Sequence, residues 1–355
     1  MHANVLRHSP FSSRVITLFV LGCLGIFSVA MLDILYWHTT IFAEGIPQFS
    51  VGYIARSALI FISVLVMFLA LLSKRWQYVA RFDDDQGRMK IAIIVAALSF
   101  SLLFLLLFMF RHALFSAYSL EDAPVEWASA VFLFCGSALF FIACFRAKYR
   151  FLASATIYLS LALLSFILFI IAMEEVSWFQ RVLTIQTPEM FANTPQHEMN
   201  LHNFATDYFE NGYYFGTYLF TVILPFVYLL FPRFSSWRYL RIFIARPFVM
   251  MVGFIPCAYN FDMWNISWMQ GSFFASIIIL VSIVLFSRDR MNKLLSGGMM
   301  VLMIVTQCLL LSHGENFARI WEVTEYKELF IALILFLYSL DVLFFLNREY
   351  SLKDA

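Results

Sequence analysis

The sequence predicts an all-α integral membrane protein of about ten transmembrane helices, with both termini cytoplasmic. Three observations carry that expectation. The chain is 62% hydrophobic, 19% aromatic and 13% charged, where a soluble domain is roughly half apolar and a quarter charged. Too little polar surface is left to cover a water-soluble core, and the mean hydropathy is +0.81. The apolar residues fall in runs near the roughly 20 that a helix needs to cross a bilayer, and the basic residues alternate from loop to loop.

Taken in order, the spans are expected at 14–37, 51–73, 91–110, 125–145, 151–173, 212–232, 247–266, 271–287, 297–312 and 328–346. The first is too long for a secretory signal and has no small-residue cleavage site. It also runs on past Val20-Leu21-Gly22-Cys23, so it is read as a retained span rather than a lipoprotein signal. The seventh is the weakest. Pro247, Gly253 and Pro256 interrupt it, and Asn260 and Asp262 lie in its second half; such breaks must be satisfied by neighbouring helices or water. The eighth and ninth are short.

Basic residues favour the cytoplasmic loops of membrane proteins. Alternate loops carry Arg7 and Arg14, then Lys74 to Lys90, Arg146 to Arg150, Arg233 to Arg246, Arg288 to Lys293, and Arg348 with Lys353, which is 19 of the 24 basic residues. The other five are Arg56, Arg111, Arg181, Arg319 and Lys327, near the opposite face. The acids show the reverse bias, and His38, His112, His197, His202 and His313 join them. Cys23, Cys135, Cys144, Cys257 and Cys308 lie in or beside apolar runs without a CxxC pair, which suggests packing residues rather than disulfides or a zinc ribbon. No linker or internal repeat divides the chain, so a single polytopic domain over 1–355 is expected, without a nucleic-acid partner.

The long connection 174–211 between spans five and six holds most of the candidate chemistry. No Gly or Pro precedes Thr187-Pro188, so span five is expected to continue as helix and to place Glu174, Trp178 and Arg181 on one face. Glu174 and Glu175 are costly at a span end unless paired, hydrated or metal-bound, and Arg181 is expected to neutralise one of them. Gln196 to Phe204 is expected to form a short helix with Glu198 and His202 one turn apart. That spacing suits a divalent metal or an acid–base pair, although it is neither HExxH nor the ExxH of di-iron bundles. The catalytic candidates are therefore Glu174, Glu175, Arg181, Glu198 and His202, and the metal-ligand candidates Glu175, His197, Glu198 and His202.

Around this segment, Arg111-His112 ends span three and Glu121-Asp122-Ala123-Pro124-Val125-Glu126 leads into span four. Pro124 suits a first helical turn, and acids there complement the dipole. Glu315–Arg319 and Glu322–Lys327 are expected as solvated pairs, and Trp37, Trp127, Trp178, Trp264, Trp268 and Trp321 as an interfacial belt.

The stretches Glu174-Glu175-Val176-Ser177-Trp178-Phe179-Gln180-Arg181 and Gln196-His197-Glu198-Met199-Asn200-Leu201-His202-Asn203 resemble a family of uncharacterised bacterial multi-spanning proteins with E-E-x-S-W-x-Q-R and Q-x-E-x-x-L-H-N motifs. The family also resembles the chain at Glu121 to Glu126, and it tends to carry glycine where this chain has Ala123 and Phe179. Together with the charge bias, the resemblance implies a bacterial inner membrane. It implies no reaction.

Three functions compete on this reading. An enzyme, hydrolase or group transferase, would act on a lipid or lipid-linked substrate at the outer face, with Arg181 and Arg111 holding a phosphate or carboxylate. A transporter or flippase is the second: the lack of charge in the centres of most spans counts against proton- or ion-coupled transport and leaves a lipid flippase open. A non-catalytic envelope assembly or binding protein is the third. No G-x-S-x-G elbow points to serine chemistry.

Overall fold

The computed structural model describes residues 13–38, 41–42, 44–73, 75–80, 82, 87–150, 155–191, 199–232, 234 and 237–351. These residues form helices without a strand. Among the described residues, nine helices are long and apolar enough to cross a membrane: α1 (Ser13–Leu35), α2 (Val51–Leu72), α3 (Arg88–Phe110), α4 (Pro124–Arg150), α5 (Ala155–Glu175), α6 (Thr206–Leu230), α8 (Ser267–Phe286), α9 (Arg290–Ser312) and α10 (Glu322–Ser351). Between α6 and α8 lies a short helix, α7 (Pro247–Gly253), with a 3-10 turn at Ile255–Ala258. Helix starts follow local chemistry. Ser50 caps α2 by accepting from the Tyr53 amide, and Asp289 caps α9 by accepting from that of Asn292.

The ends of the bundle are recognisable by their contacts. At one end Arg75 donates to the Leu230 carbonyl at 3.1 Å, and Arg246 pairs with Asp341 at 2.9 Å. At the other, Asn265 donates to the Gly45 carbonyl at 2.9 Å, and its own carbonyl accepts from Arg56 at 2.6 Å. The chain leaves α6 at the first end and enters α8 at the second, so 247–266 makes a tenth crossing. It does so without a continuous helix, as its prolines foretell. Phe248 to Asp262 is buried throughout, with Asn260 and Asp262 fully enclosed. Broken backbone is tolerated at membrane depth only where protein covers it. Here the Gln307 side chain accepts from the Asn260 amide at 3.3 Å, and the Asp262 carbonyl from the Gly45 amide at 2.9 Å. Gly253 lets the segment close on α6, since a β-carbon there would meet Val222 Cγ2 at 2.9 Å. That contact falls on a π-helical turn, Leu219–Ile223, just ahead of Pro225; such a turn adds a residue where the regular bonding pattern fails.

Burial ranks the helices. In its most apolar window α10 is 67% buried and α1 11%, so α10 forms the axis and α1 faces its surroundings. Helix α1 is held against α2 by close approach, since a β-carbon at Gly25 would collide with Ser63 Oγ, and by an ion pair. Arg56 donates from Nε and Nη2 to the two oxygens of Asp33, each at 2.6 Å, with the side chains 5% and 9% exposed. The described cysteines are free thiols. Trp264 departs from the expected belt: it is buried against Phe273 and Phe274.

Removing one partner of a buried pair strands the other charge. Arg56→Ala is therefore expected to lower stability in detergent by about 3–5 kcal/mol, read as a fall in melting temperature. Joint replacement by Asp33→Asn and Arg56→Gln is expected to recover most of that loss.

Candidate functional site

Helix α5 stops at Glu175 instead of continuing to Arg181. Ser177, Trp178 and Phe179 all adopt left-handed backbone, with φ of 46°, 55° and 58°. Each such residue costs about 1–2 kcal/mol when it carries a β-carbon. The turn persists because its side chains bond to a distant stretch. Glu174 accepts from Trp178 Nε1 and from the Leu201 amide, both at 2.6 Å. Gln180 accepts from the Met199 amide at 2.7 Å and donates to Thr187 at 2.9 Å, and Asn200 donates to Ser177 at 3.1 Å. A continued helix would forgo these bonds. Glu174 is thus a clamp between the two motif stretches. Its expected contact with Trp178 forms, although through a turn rather than a helical face. Phe179 stacks on Phe134 with ring centroids 6.3 Å apart.

Arg181 does not neutralise Glu174 or Glu175. It pairs with Asp122 at 2.9 Å and with Glu121, tying this turn to the one before α4. All three side chains are more than a third exposed, so the pairs contribute little to stability, and a guanidinium so engaged is a weak phosphate anchor. Helix α4 starts at Pro124 as expected, and Glu126 in its first turn accepts from the Asp122 amide.

The expected helix over Gln196–Phe204 does not form in its described part. Met199 to Leu201 are non-helical, and a 3-10 turn begins at His202. Side-chain bonds to Met199, Asn200 and Leu201 hold that stretch against the α5 turn. His197, Glu198 and the His202 side chain lie outside what the structure describes. Among the described residues no group of three His, Cys, Asp or Glu is arranged to hold a metal.

The two pairs expected near α10 also change. Glu322, 1% exposed, pairs with Arg319 at 3.2 Å and accepts from Ser116 at 2.5 Å. Lys327 is not solvated. It is 2% exposed, donates to Asn260 Oδ1 at 2.7 Å, and lies 4.4 Å from the centroid of the Tyr214 ring.

The densest chemistry gathers where α4, α5, α6 and α10 meet. Glu175 lies within electrostatic range of Glu325, Glu328 and Glu126. Glu328 accepts from the Tyr214 hydroxyl, and the Tyr213 hydroxyl, buried and without a hydrogen bond, lies in the field of Glu175 and Glu328. Glu210, one turn before Tyr214, bonds to Glu44 and lies near Glu328 and Asp262. Asp262 in turn accepts from Thr324 and from the Met263 amide. Of the sequence candidates whose side chains the structure describes, only Glu175 enters this centre. Glu325, Glu328, Tyr213 and Tyr214 were not among the candidates and Lys327 was read only as a solvated partner of Glu322, although Glu325 and Glu328 near one turn apart at the head of an apolar span were a usable signal. Carboxylates this close need shared protons or a cation to balance them. Groups poised in that way can give and take protons.

Two substitutions test the turn. Thr184 is exposed, β-branched and left-handed at φ 53°, and its hydroxyl bonds only to the preceding carbonyl. Thr184→Gly is expected to raise stability by about 1 kcal/mol, and Glu174→Ala to lower it, both read by melting temperature. Comparison with protein-family profiles, with curated proteins and with solved structures finds no match to this chain.

Proposed function

We propose that this protein is a membrane-embedded enzyme that hydrolyses or transfers a group on a lipid or lipid-linked substrate, with Glu175, Glu325 and Glu328 as its acid–base centre. The observation that carries the reading is the convergence of these carboxylates from two helices beside the unbonded hydroxyl of Tyr213. Neighbouring carboxylates that share protons can act as acid and base in one step: one protonates the leaving oxygen while another takes a proton from water or an attacking hydroxyl. The charge bias supports a bacterial inner membrane with the basic end cytoplasmic and the carboxylate end at the outer face. The lipid part of the reading is supported by a groove of about 550 Å³ between α1, α2, α6 and α8, lined by apolar side chains such as Ile26, Met67 and Phe226. It shares Phe215, Tyr218 and Ser272 with a cavity of about 20 Å³ bordered by Lys327. A hydrocarbon chain seated in the groove would thus lie one wall from a buried cation. A divalent metal held by Glu175 with His197, Glu198 and His202 belongs to the proposal as a variant, in which it would polarise the scissile group.

A second reading, proton- or cation-coupled transport, is favoured by the broken seventh crossing with Lys327 against it. Proteoliposomes separate the two. With labelled phospholipids and lipid-linked saccharides, the wild type is expected to convert at least one species, and Glu328→Gln to slow that conversion by about a hundredfold. No conversion, together with proton uptake driven by a gradient and abolished by Glu328→Gln, would replace the enzyme by a transporter. Bound metal measured by mass spectrometry, in wild type and in Glu198→Ala, decides the metal variant.

Orientation has its own test. A cysteine at Gln48 is expected to react with an impermeant maleimide in intact cells, and one at Gly87 only after permeabilisation. The opposite pattern would turn the centre toward the cytoplasm.

A further inference from the structure

At the carboxylate-rich end, a cavity of about 660 Å³ opens between α1 and α2, beside the stretch 44–50 and Asn265. Arg56 lines it, and its side chain is 5% exposed. Its Nε and Nη2 are taken by Asp33 and by the Asn265 carbonyl. Its Nη1 is buried and has no hydrogen-bond partner. Glu44 lines the same cavity. It bonds to Glu210, while its Oε1 is buried without a partner. Arg56 and Glu44 thus both line one cavity, and each keeps one buried polar atom without a partner, a donor on Arg56 and an acceptor on Glu44. A folded chain rarely buries either without a partner, and a ligand carrying both charges would satisfy the two together.

We propose that this cavity binds a zwitterion that joins a primary ammonium to a phosphate, as in the headgroup of phosphatidylethanolamine. The phosphate accepts from Arg56 Nη1, a geometry for which guanidinium is suited. The ammonium donates to Glu44 Oε1. A choline headgroup has no N–H to give, and a glycerol headgroup has no cation. The lipid source is favoured by position. The cavity lies at the end of α1, the least buried span, and is edged by Trp37 and by Ile46, which is 63% exposed; tryptophan is enriched at the headgroup level. The site adjoins the acid–base centre through the Glu44–Glu210 bond and is read by retention rather than turnover.

The test is native mass spectrometry of delipidated protein in detergent with phosphatidylethanolamine, phosphatidylcholine and phosphatidylglycerol of matched chains. Retention of phosphatidylethanolamine is expected to exceed that of the other two by about tenfold. Glu44→Gln is expected to remove that preference at unchanged melting temperature. Arg56→Lys, which keeps the charge facing Asp33 but lacks Nη1, is expected to weaken it as well. Equal retention of all three lipids, or a preference untouched by both substitutions in folded protein, would overturn the proposal. Free phosphoethanolamine binding as tightly as the lipid would overturn the lipid source in favour of a soluble zwitterion.

Discussion

The bond from Lys327 to Asn260 joins the most buried helix to the least regular crossing, and much of the interior is arranged around it. An ammonium inside a bilayer is tolerated only with partners at hand. The amide of Asn260, the sulfur of Met263 at 3.3 Å and the face of Tyr214 supply them. Asn260 can do so because its backbone has left the helical pattern, and the backbone has left that pattern because Pro256 and the surrounding helices permit it. The cation then allows acids to be enclosed nearby. Asp262 lies next along the broken segment, Glu328 one residue along α10, and Glu210 one turn from the tyrosine that stacks on the ammonium.

The arrangement separates two tasks. The residues at the end of α5 mostly hold shape: Glu174, Ser177, Gln180 and Asn200 bond to one another, to the Trp178 and Thr187 side chains, and to backbone. Glu175 turns the other way, into the helix junction. Two adjacent carboxylates of the same type thereby acquire unlike roles, because neighbouring positions on a helix point about 100° apart.

Composition and charge made the helical membrane fold legible, because lipid imposes simple rules on length and hydropathy. The weak seventh span was legible for the same reason, since prolines and buried amides are local signals. The edges were less so. Span six was read from 212 and span ten from 328, whereas the helices begin at Thr206 and Glu322. Charged residues lower local hydropathy and push a boundary inward. In the folded chain those charges answer one another across helices, so Glu210 and Glu325 are helical and half-buried, and Lys327 is helical and buried. Arg181 was matched to its sequence neighbours when its partners lay near residue 121. The left-handed turn was beyond reach, because the bonds that hold it come from residues 199–201, and nothing local announces them.

The π-helical turn of α6 has a consequence for how this centre is maintained. One surplus residue in a helix shifts the phase of everything above it by about 100°. Glu210, Tyr213 and Tyr214 stand above Leu219–Ile223, while Phe226 and Leu230 pack below it. Both halves face inward only while the surplus residue is kept. The chemistry at one end of α6 and the packing at the other are therefore set by a count of residues rather than by their kind. A length change of one residue there would turn the tyrosines away from Glu328 while leaving every side chain of the centre in the chain.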